Sequence, residues 1–348
     1  MKHIKFPSIE QFRNVVKDIT SSSRYVGYDE VEHKDIFDES LPLPTITFNG
    51  TVKLHGTNAG ITYSEESGLY MQNRERIITI EKDNAGFAFF MESRKPIVEN
   101  MIKEIIDTHN KTEGYITIFG EFCGGSIQKG TSLNSLPKMF VIFGLTYKPY
   151  IEDSAIEWLD INLLKSIPEL NIYNINDFQT YSIDIDFNNP RSALESLNAL
   201  TLAVEEECPV GKALGSLGVG EGIVWSADYK GSKLSFKIKG EKHSKTKVKK
   251  IDTTNSKDEE KRIIFANHAT PAWRLEQAWQ NTFGINNEKM QPQMKELGTF
   301  LKLVQSDVIK EEMDMLLELD LEPKMVNRYI SKIARDWFIS QLDELSGI

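Results

Sequence analysis

From about Thr45 to Ile80 the chain alternates short β-branched and aromatic runs with glycine: Thr45-Ile46-Thr47-Phe48, Gly60-Ile61-Thr62-Tyr63 and Ile77-Ile78-Thr79-Ile80. Such runs read as strands joined by turns. Ahead of them, Ser8 and Gln11 have capping-box spacing before Phe12, Val15 and Val16, which predicts an amphipathic helix opening there. Residues 86–109 read as helix, 115–121 and 139–147 as strands, and a helix is expected from near Pro190 to just before Pro209. Gly222–Ala227 and Lys233–Lys239 read as two further strands around an Asp228-Tyr229-Lys230-Gly231 turn. Asp184 and Asp186 alternate on what reads as an exposed edge strand, and a metal site there is the alternative.

Past Lys239 the pattern changes. Lys237 to Lys250 holds seven lysines, His243 and one acid, Glu241, and Asp252–Lys261 is polar enough to be a linker. Thr270-Pro271 reads as an N-cap with proline at the first helical position, and Gly284 as the stop. Pro323 opens a helix with Val326, Tyr329, Ile330, Ile333 and Trp337 on one face. Trp273, Trp279 and Trp337 fit a helical core better than base-stacking platforms. The chain therefore divides into an α+β body over 1–245, a basic and polar linker over 246–260, and an all-helical part over 261–348.

Composition narrows the classes. With 40% apolar and 26% charged residues in 348, a packed core and a soluble surface are both expected. No apolar run is long enough to span a bilayer, and the opening Met1-Lys2-His3-Ile4-Lys5-Phe6-Pro7 lacks the apolar region of a secretory signal. Cys123 and Cys208 form neither a disulfide framework nor a zinc cluster, so a reduced, cytoplasmic protein and a buried Cys123 are expected. The net charge of −10 opposes polyanion binding overall, but the lysine stretch can supply a local basic channel. A solvated linker is the plainer reading of that stretch by itself.

The sharpest chemical feature is Lys53-Leu54-His55-Gly56-Thr57-Asn58 between two predicted strands. Alone, Lys-x-x-Gly equally describes a surface lysine beside a turn. Its downstream context resembles the covalent nucleotidyltransferases, and within them the RNA ligase 2-like enzymes of bacteriophages. Their nucleophile motif is a lysine and an aliphatic residue followed by His-Gly-Thr-Asn, where relatives acting on DNA or capping messenger RNA usually carry Asp-Gly. Arg74 in Gln72-Asn73-Arg74-Glu75-Arg76 is similar to the family's arginine block, and Phe119-Gly120-Glu121-Phe122 to its ribose-binding glutamate strand. Phe140-Val141-Ile142-Phe143 is similar to the adenine shelf, Glu221-Gly222-Ile223-Val224 to the metal-associated glutamate block, and Lys237-Ile238-Lys239 to the paired phosphate lysines. The blocks follow the family's order over roughly residues 40–245. Two positions depart: Gly144 stands where an acid is common, and Thr51 where a basic residue is expected.

The resemblance implies a nucleotidyltransferase domain of antiparallel sheets with flanking helices, followed by a small helical domain. It implies that Lys53 attacks ATP and keeps AMP, with Leu54, His55, Asn58, Arg74, Glu121, Phe143, Lys237 and Lys239 binding the nucleotide and Glu221 associated with Mg²⁺ (Mn²⁺ as an alternative). AMP would pass to an RNA 5′-phosphate, and a 3′-hydroxyl would complete the phosphodiester. A lysine amine attacks phosphorus only when neutral, a form that nearby cations and desolvation favour. Lys237 and Lys239 alternate on one strand and so share a face, which allows a two-pronged phosphate clamp. Glu221 is a hard oxygen ligand suited to Mg²⁺. A monomer acting on RNA ends without a membrane partner is expected. A DNA ligase or capping-type enzyme is the first alternative, disfavoured because those usually add a β-barrel module after the paired lysines. A non-catalytic nucleic-acid-binding protein is the second.

Overall fold

The structure, a computed structural model, describes residues 1–240 and 258–346 except 84, 126, 129, 285, 286, 288 and 289, and leaves aside the side chains of 258, 260, 273, 314, 317, 318 and 346. Most of the expected linker, the lysines of the basic stretch from Lys242 to Lys250 and the Trp273 side chain lie outside the described residues. The chain forms two compact units, the first holding the sheets and the second the C-terminal helices. It is α+β with predominantly antiparallel sheets.

The first unit opens with an extended segment and then α1 (Phe12–Arg24), followed by a two-stranded ribbon, β1 (Tyr25–Asp29) and β2 (Lys34–Phe37). Next come β3 (Thr45–Lys53), β4 (Gly56–Ser64), β5 (Gly68–Asn73) and β6 (Ile77–Ile78). Helices α2 (Phe87–Glu92) and α3 (Lys95–His109) precede β7 (Gly114–Cys123), β8 (Met139–Pro149), β9 (Glu157–Leu159), β10 (Ile172–Asn174) and β11 (Thr180–Asp186). Helices α4 (Leu194–Glu206) and α5 (Pro209–Ala213) lead into β12 (Gly222–Tyr229) and β13 (Ser232–Lys239). Seven strands form one sheet, ordered β10-β8-β7-β4-β5-β6 with β9 also on β8, and four form another, ordered β11-β3-β12-β13.

Alternation decides what each sheet buries. Along β3, Ile46, Phe48 and Val52 point into a core with Trp225 and Phe236, packed by Val15 and Ile19 of α1 and by Leu197 and Val204 of α4. Thr51 and Lys53 point the other way and remain partly exposed. In the larger sheet, Phe122 and Phe140 meet Phe87 of α2. Burial at this density is the main favourable contribution to folding.

Several expected elements change. Ser8 does not cap α1; the N-cap is Gln11, because Glu10 pairs its backbone with Ser235 and Lys237 of β13 and keeps the preceding residues extended. The 86–109 helix is two helices. Pro96 cannot donate within a continuous helix and instead occupies the first turn of α3, while the Arg94 guanidinium donates to the Phe90 and Leu170 carbonyls. The strand expected over 77–80 stops at Ile78, and a 3₁₀ turn, Ile80–Lys82, follows. The β12–β13 turn is tighter than expected: Lys230 (φ 49°) and Gly231 (φ 78°) form a two-residue loop of primed type.

In the second unit, α6 (Asp258–Ala269) starts inside the stretch expected to be linker, followed by α7 (Ala272–Phe283), α8 (Leu297–Glu318) and α9 (Pro323–Ser346). Pro271, not Thr270, is the N-cap of α7, since the Thr270 hydroxyl donates back to the Ala266 carbonyl of α6. Gly284 ends α7 at φ 85°. Trp279 is buried, with Trp337 packed edge-on at 5.7 Å, so both belong to the core as expected. Among the described residues, no helix is long and apolar enough to cross a membrane.

Candidate active site

The chain leaves one sheet and enters the other at Lys53-Leu54-His55-Gly56. Lys53 ends β3 in the four-stranded sheet, and Gly56 begins β4 in the seven-stranded one. Leu54 buries its side chain in the apolar core and anchors this crossing. Gly56 must be glycine, since a Cβ there would lie 2.5 Å from the Phe122 carbonyl oxygen. The tight crossing sets Lys53 and His55 beside β7 of the other sheet.

Across the smaller sheet, Lys53, Gly222 and Lys239 are register partners in one row. Gly222 adds no side chain to the row, and its φ of 151° turns the backbone directly after Glu221. The buried Glu221 carboxylate joins the lysines: Oε2 lies 2.7 Å from Lys53 Nζ and Oε1 3.2 Å from Lys239 Nζ. His55 Nδ1 is 3.2 Å from Oε2, and because an ionised carboxylate only accepts, that nitrogen carries the shared proton. Burial alone would raise the Glu221 pKa. Lys53, Lys239 and His55 overcome it and hold the carboxyl well below the usual carboxylate range.

Glu121 faces this group from β7, opposite Asn58 of β4. Its side chain is partly open to solvent, yet burial dominates and pushes its pKa up to about 7. The negative Glu221 adds to the rise, against Lys53, a Gly56 N–H donated to the carboxylate, and Arg74. Two nearby carboxyls are thus driven apart: Glu221 stays ionised, and Glu121 titrates near neutrality. Arg74 follows β5 in a turn where the Asn73 side chain accepts the Glu75 and Arg76 N–H groups, and its own side chain is 46% exposed.

Phe143 occupies a β-bulge: Phe119 pairs with Gly144 and Gly120 with Ile142, so Phe143 is the extra residue of β8. Its partly buried ring meets Phe6 at 5.1 Å. Lys237 shares the face of Lys239 on β13, one alternation step away and opposite Val224. Lys53, His55, Glu221 and Lys239 therefore form one contact group, with Glu121 and Arg74 within its electrostatic reach. Asp184 lies on the edge strand β11 and accepts from the Thr47 hydroxyl, as the plainer reading expected. Burial raises the Cys123 thiol pKa well above its ordinary value, with Glu121 and Cys208 adding to the rise, so Cys123 is an unreactive core residue.

Sequence reasoning missed the Phe6 contact, the Gly56 N–H to Glu121, and the hub role of Glu221 between two lysines. Only Gly222 beside Glu221 carried any signal, as a glycine inside a strand pattern. The Gly144 departure has a physical setting: a Cβ there would come 3.2 Å from Trp158, 3.4 Å from Phe119 and 3.5 Å from Phe6.

A search of curated proteins finds no match to this chain. Among solved structures it is similar to Naegleria gruberi RNA ligase: a lysine-to-alanine mutant with ATP and Mn (18% identity, TM-score 0.39, covering 68% of this chain and 56% of that one) and the protein with PPi (17%, 0.39, 68% and 56%). An arginine-to-alanine mutant with ATP and Mn is similar at 17% identity and TM-score 0.40, covering 69% and 57%. This chain thus spans little more than half the length of those proteins. The sequence model of the RNA ligase family matches residues 46–239, more than half of the chain, running from the second residue of β3 to the end of β13. The chain belongs to the RNA ligase family.

Proposed function

We propose that this protein is an ATP-dependent RNA ligase that joins 3′-hydroxyl and 5′-phosphate ends through AMP held on Lys53. The observation that carries the reading is the Lys53–Glu221–Lys239 group, with Glu121 facing it from the other sheet. Lys53 is a primary amine at the end of a strand, beside two carboxyls and a second ammonium. Its Nζ is engaged in the ion pair with Glu221, so attack on phosphorus requires that pair to open. An incoming triphosphate gives Lys237 and Lys239 an anionic partner and offers phosphate oxygens to Lys53 in competition with the Glu221 carboxylate. Released from the pair, the ammonium gives one proton to solvent, and the neutral amine forms the N–P bond to the α-phosphorus as the bond to pyrophosphate breaks, its second proton leaving with the pyrophosphate. Transfer to a 5′-phosphate and attack by a 3′-hydroxyl complete the sequence, with AMP leaving last. Covalent storage of AMP divides one difficult exchange into easier steps.

The residues fit a metal that arrives with the triphosphate. Among the described residues no group of three or more His, Cys, Asp or Glu could hold an ion, and the Glu221 oxygens already face two ammoniums and His55. Mg²⁺ commonly takes only one or two protein carboxylates and completes its shell with water and substrate phosphate, so Glu221 would hold it once the lysines turn to phosphate. Bound there, the ion would supply charge neutralisation at the phosphates.

His55-Gly56 in place of Asp-Gly supports placement beside the RNA ligase 2-like bacteriophage enzymes. The division into an adenylyltransferase domain (1–245), a linker (246–260) and a helical domain belongs to the same proposal, with the helices starting at Asp258. Incubation with ATP labelled at the α-phosphate and Mg²⁺ should leave denaturation-resistant label on the protein, and Lys53→Ala should remove it. A binding module without catalysis would carry no such label.

A further inference from the structure

A nucleotide held at Lys53 would lie in a slot along the larger sheet, whose register orders the positions it would meet. Gly56 lies opposite Cys123, Asn58 opposite Glu121, and Gly60 opposite Phe119. Each pair is one two-residue step, about 6.6 Å, farther from Lys53. A ribose at Glu121 therefore directs its base toward Phe119 and the neighbouring bulge at Phe143.

That end of the slot is closed by a residue from the far N-terminus. The Phe6 ring lies 5.0 Å from Phe119 at 66°, 5.1 Å from Phe143 at 72° and 5.8 Å from Trp158 at 85°, so it stands steeply inclined to all three. Phe119 is fully buried, whereas Phe6 and Phe143 are only partly so. The segment carrying Phe6 is tied at both ends. The Ile4 N–H donates to Gln72 Oε1 at 3.1 Å, the Gln72 amide donates back to the Ile4 carbonyl, and the Tyr70 hydroxyl donates to the Lys2 carbonyl at 2.7 Å. On the other side, the Glu10 N–H donates to Ser235 and its carbonyl accepts from Lys237, the strand of the paired lysines. Phe6 is thus held over the slot by one sheet at each end of the strap. Gly144 leaves the space for it, and the Lys233 ammonium lies 4.4 Å over the outer Trp158 ring.

We propose that Phe6 determines which nucleotide is accepted, its ring forming an apolar end wall that admits adenine and rejects guanine. This rests on the reading of Lys53 as the adenylated residue. A wall of ring carbon offers no hydrogen-bond partner. Guanine carries one more exocyclic polar group than adenine, a carbonyl beside a ring N–H in addition to its amine, so it loses more water without replacement, and pocket discrimination by a small group is worth about 10–200-fold.

The test measures label on the protein from ATP and from GTP, each labelled at the α-phosphate, with Mg²⁺. The unaltered protein should strongly prefer ATP. Phe6→Ala should narrow the ATP-to-GTP ratio by about ten-fold or more. Phe6→Trp should fill the slot, raising the half-saturating ATP concentration about ten-fold while the maximal rate changes little. A merely structural role would lower labelling by both nucleotides together. An unchanged ratio in a folded Phe6→Ala protein, or an unchanged ATP requirement in Phe6→Trp, would overturn the role of Phe6 alone. Should circular dichroism show Phe6→Ala unfolded, Phe6→Trp carries the test. Absence of label on the unaltered protein would instead overturn the ligase reading beneath it.

Discussion

Glu121 and Glu221 are chemically alike and lie in one site, but their surroundings give them opposite properties. Glu221 is encircled by Lys53, Lys239 and His55 and stays ionised. Glu121 is desolvated and close to that negative charge, and its pKa is pushed up to about 7 from 4.5. Between those two values the folded protein keeps the Glu121 proton while the unfolded chain has lost it. Folding stability from this group is therefore fully present below about pH 4.5 and is lost as pH rises through about 7. Glu121→Gln should flatten the fall in thermal midpoint across that window, measured by calorimetry at matched ionic strength. A curve parallel to that of the unaltered protein would show that Glu121 does not titrate there. At this scale the sequence was informative where a motif held the residues in order, as at Lys53–Asn58. It was silent on the environment: nothing between Phe119 and Phe122 states that Lys53 and Glu221 will stand beside Glu121, because those neighbours arrive from distant strands.

Register carries the site at the scale of elements. Lys53, Gly222 and Lys239 share a row because β12 lies between β3 and β13, and the Glu221 side chain bridges the two lysines. A side chain on Gly222 would meet the Ile238 carbonyl oxygen at 2.2 Å, at a backbone angle that L residues rarely adopt. Gly222→Ala should therefore displace β13 relative to β12, lower stability by about 1–3 kcal/mol in urea unfolding, and reduce self-labelling far more than the fold. Intact labelling would contradict the need for this row. The strands themselves were legible from two-residue alternation, and α9 from its apolar face. The N-terminal strap was not, because Ile4 and Gln72 are 68 positions apart, and the Gln72 side-chain amide bonds the Ile4 backbone, whose N–H and carbonyl nearly any residue could supply. The bulge at Phe143 had one sign, Gly144 inside the strand pattern, which stood out only as a departure from the family.

For the whole molecule, the net charge of −10 and a site containing three lysines have to coexist. Lys53, Lys237 and Lys239 are placed by strands, so they act locally while the remaining surface stays acidic. Lys245, Lys247 and Lys249 lie outside the described residues, but they continue the basic run directly beyond β13. Contacts of such residues with RNA would be mainly to phosphate and would weaken with salt. Changing all three to alanine should lower joining of nicked RNA by about ten-fold or more at moderate salt, with self-labelling nearly unchanged, and should flatten the salt dependence of joining. Equal loss of both activities would argue against a role confined to the polynucleotide.

The central claim is that AMP is carried on one particular nitrogen. Protein incubated with ATP and Mg²⁺, digested at neutral or alkaline pH and examined by peptide mass spectrometry, tests it directly. A single AMP adduct is expected on the peptide containing Lys53, lost in acid as a phosphoramide should be, and transferred from the protein to RNA when 5′-phosphorylated ends are added. An adduct on Lys237, Lys239 or another residue, or none at all from a protein that nevertheless seals RNA, would contradict it.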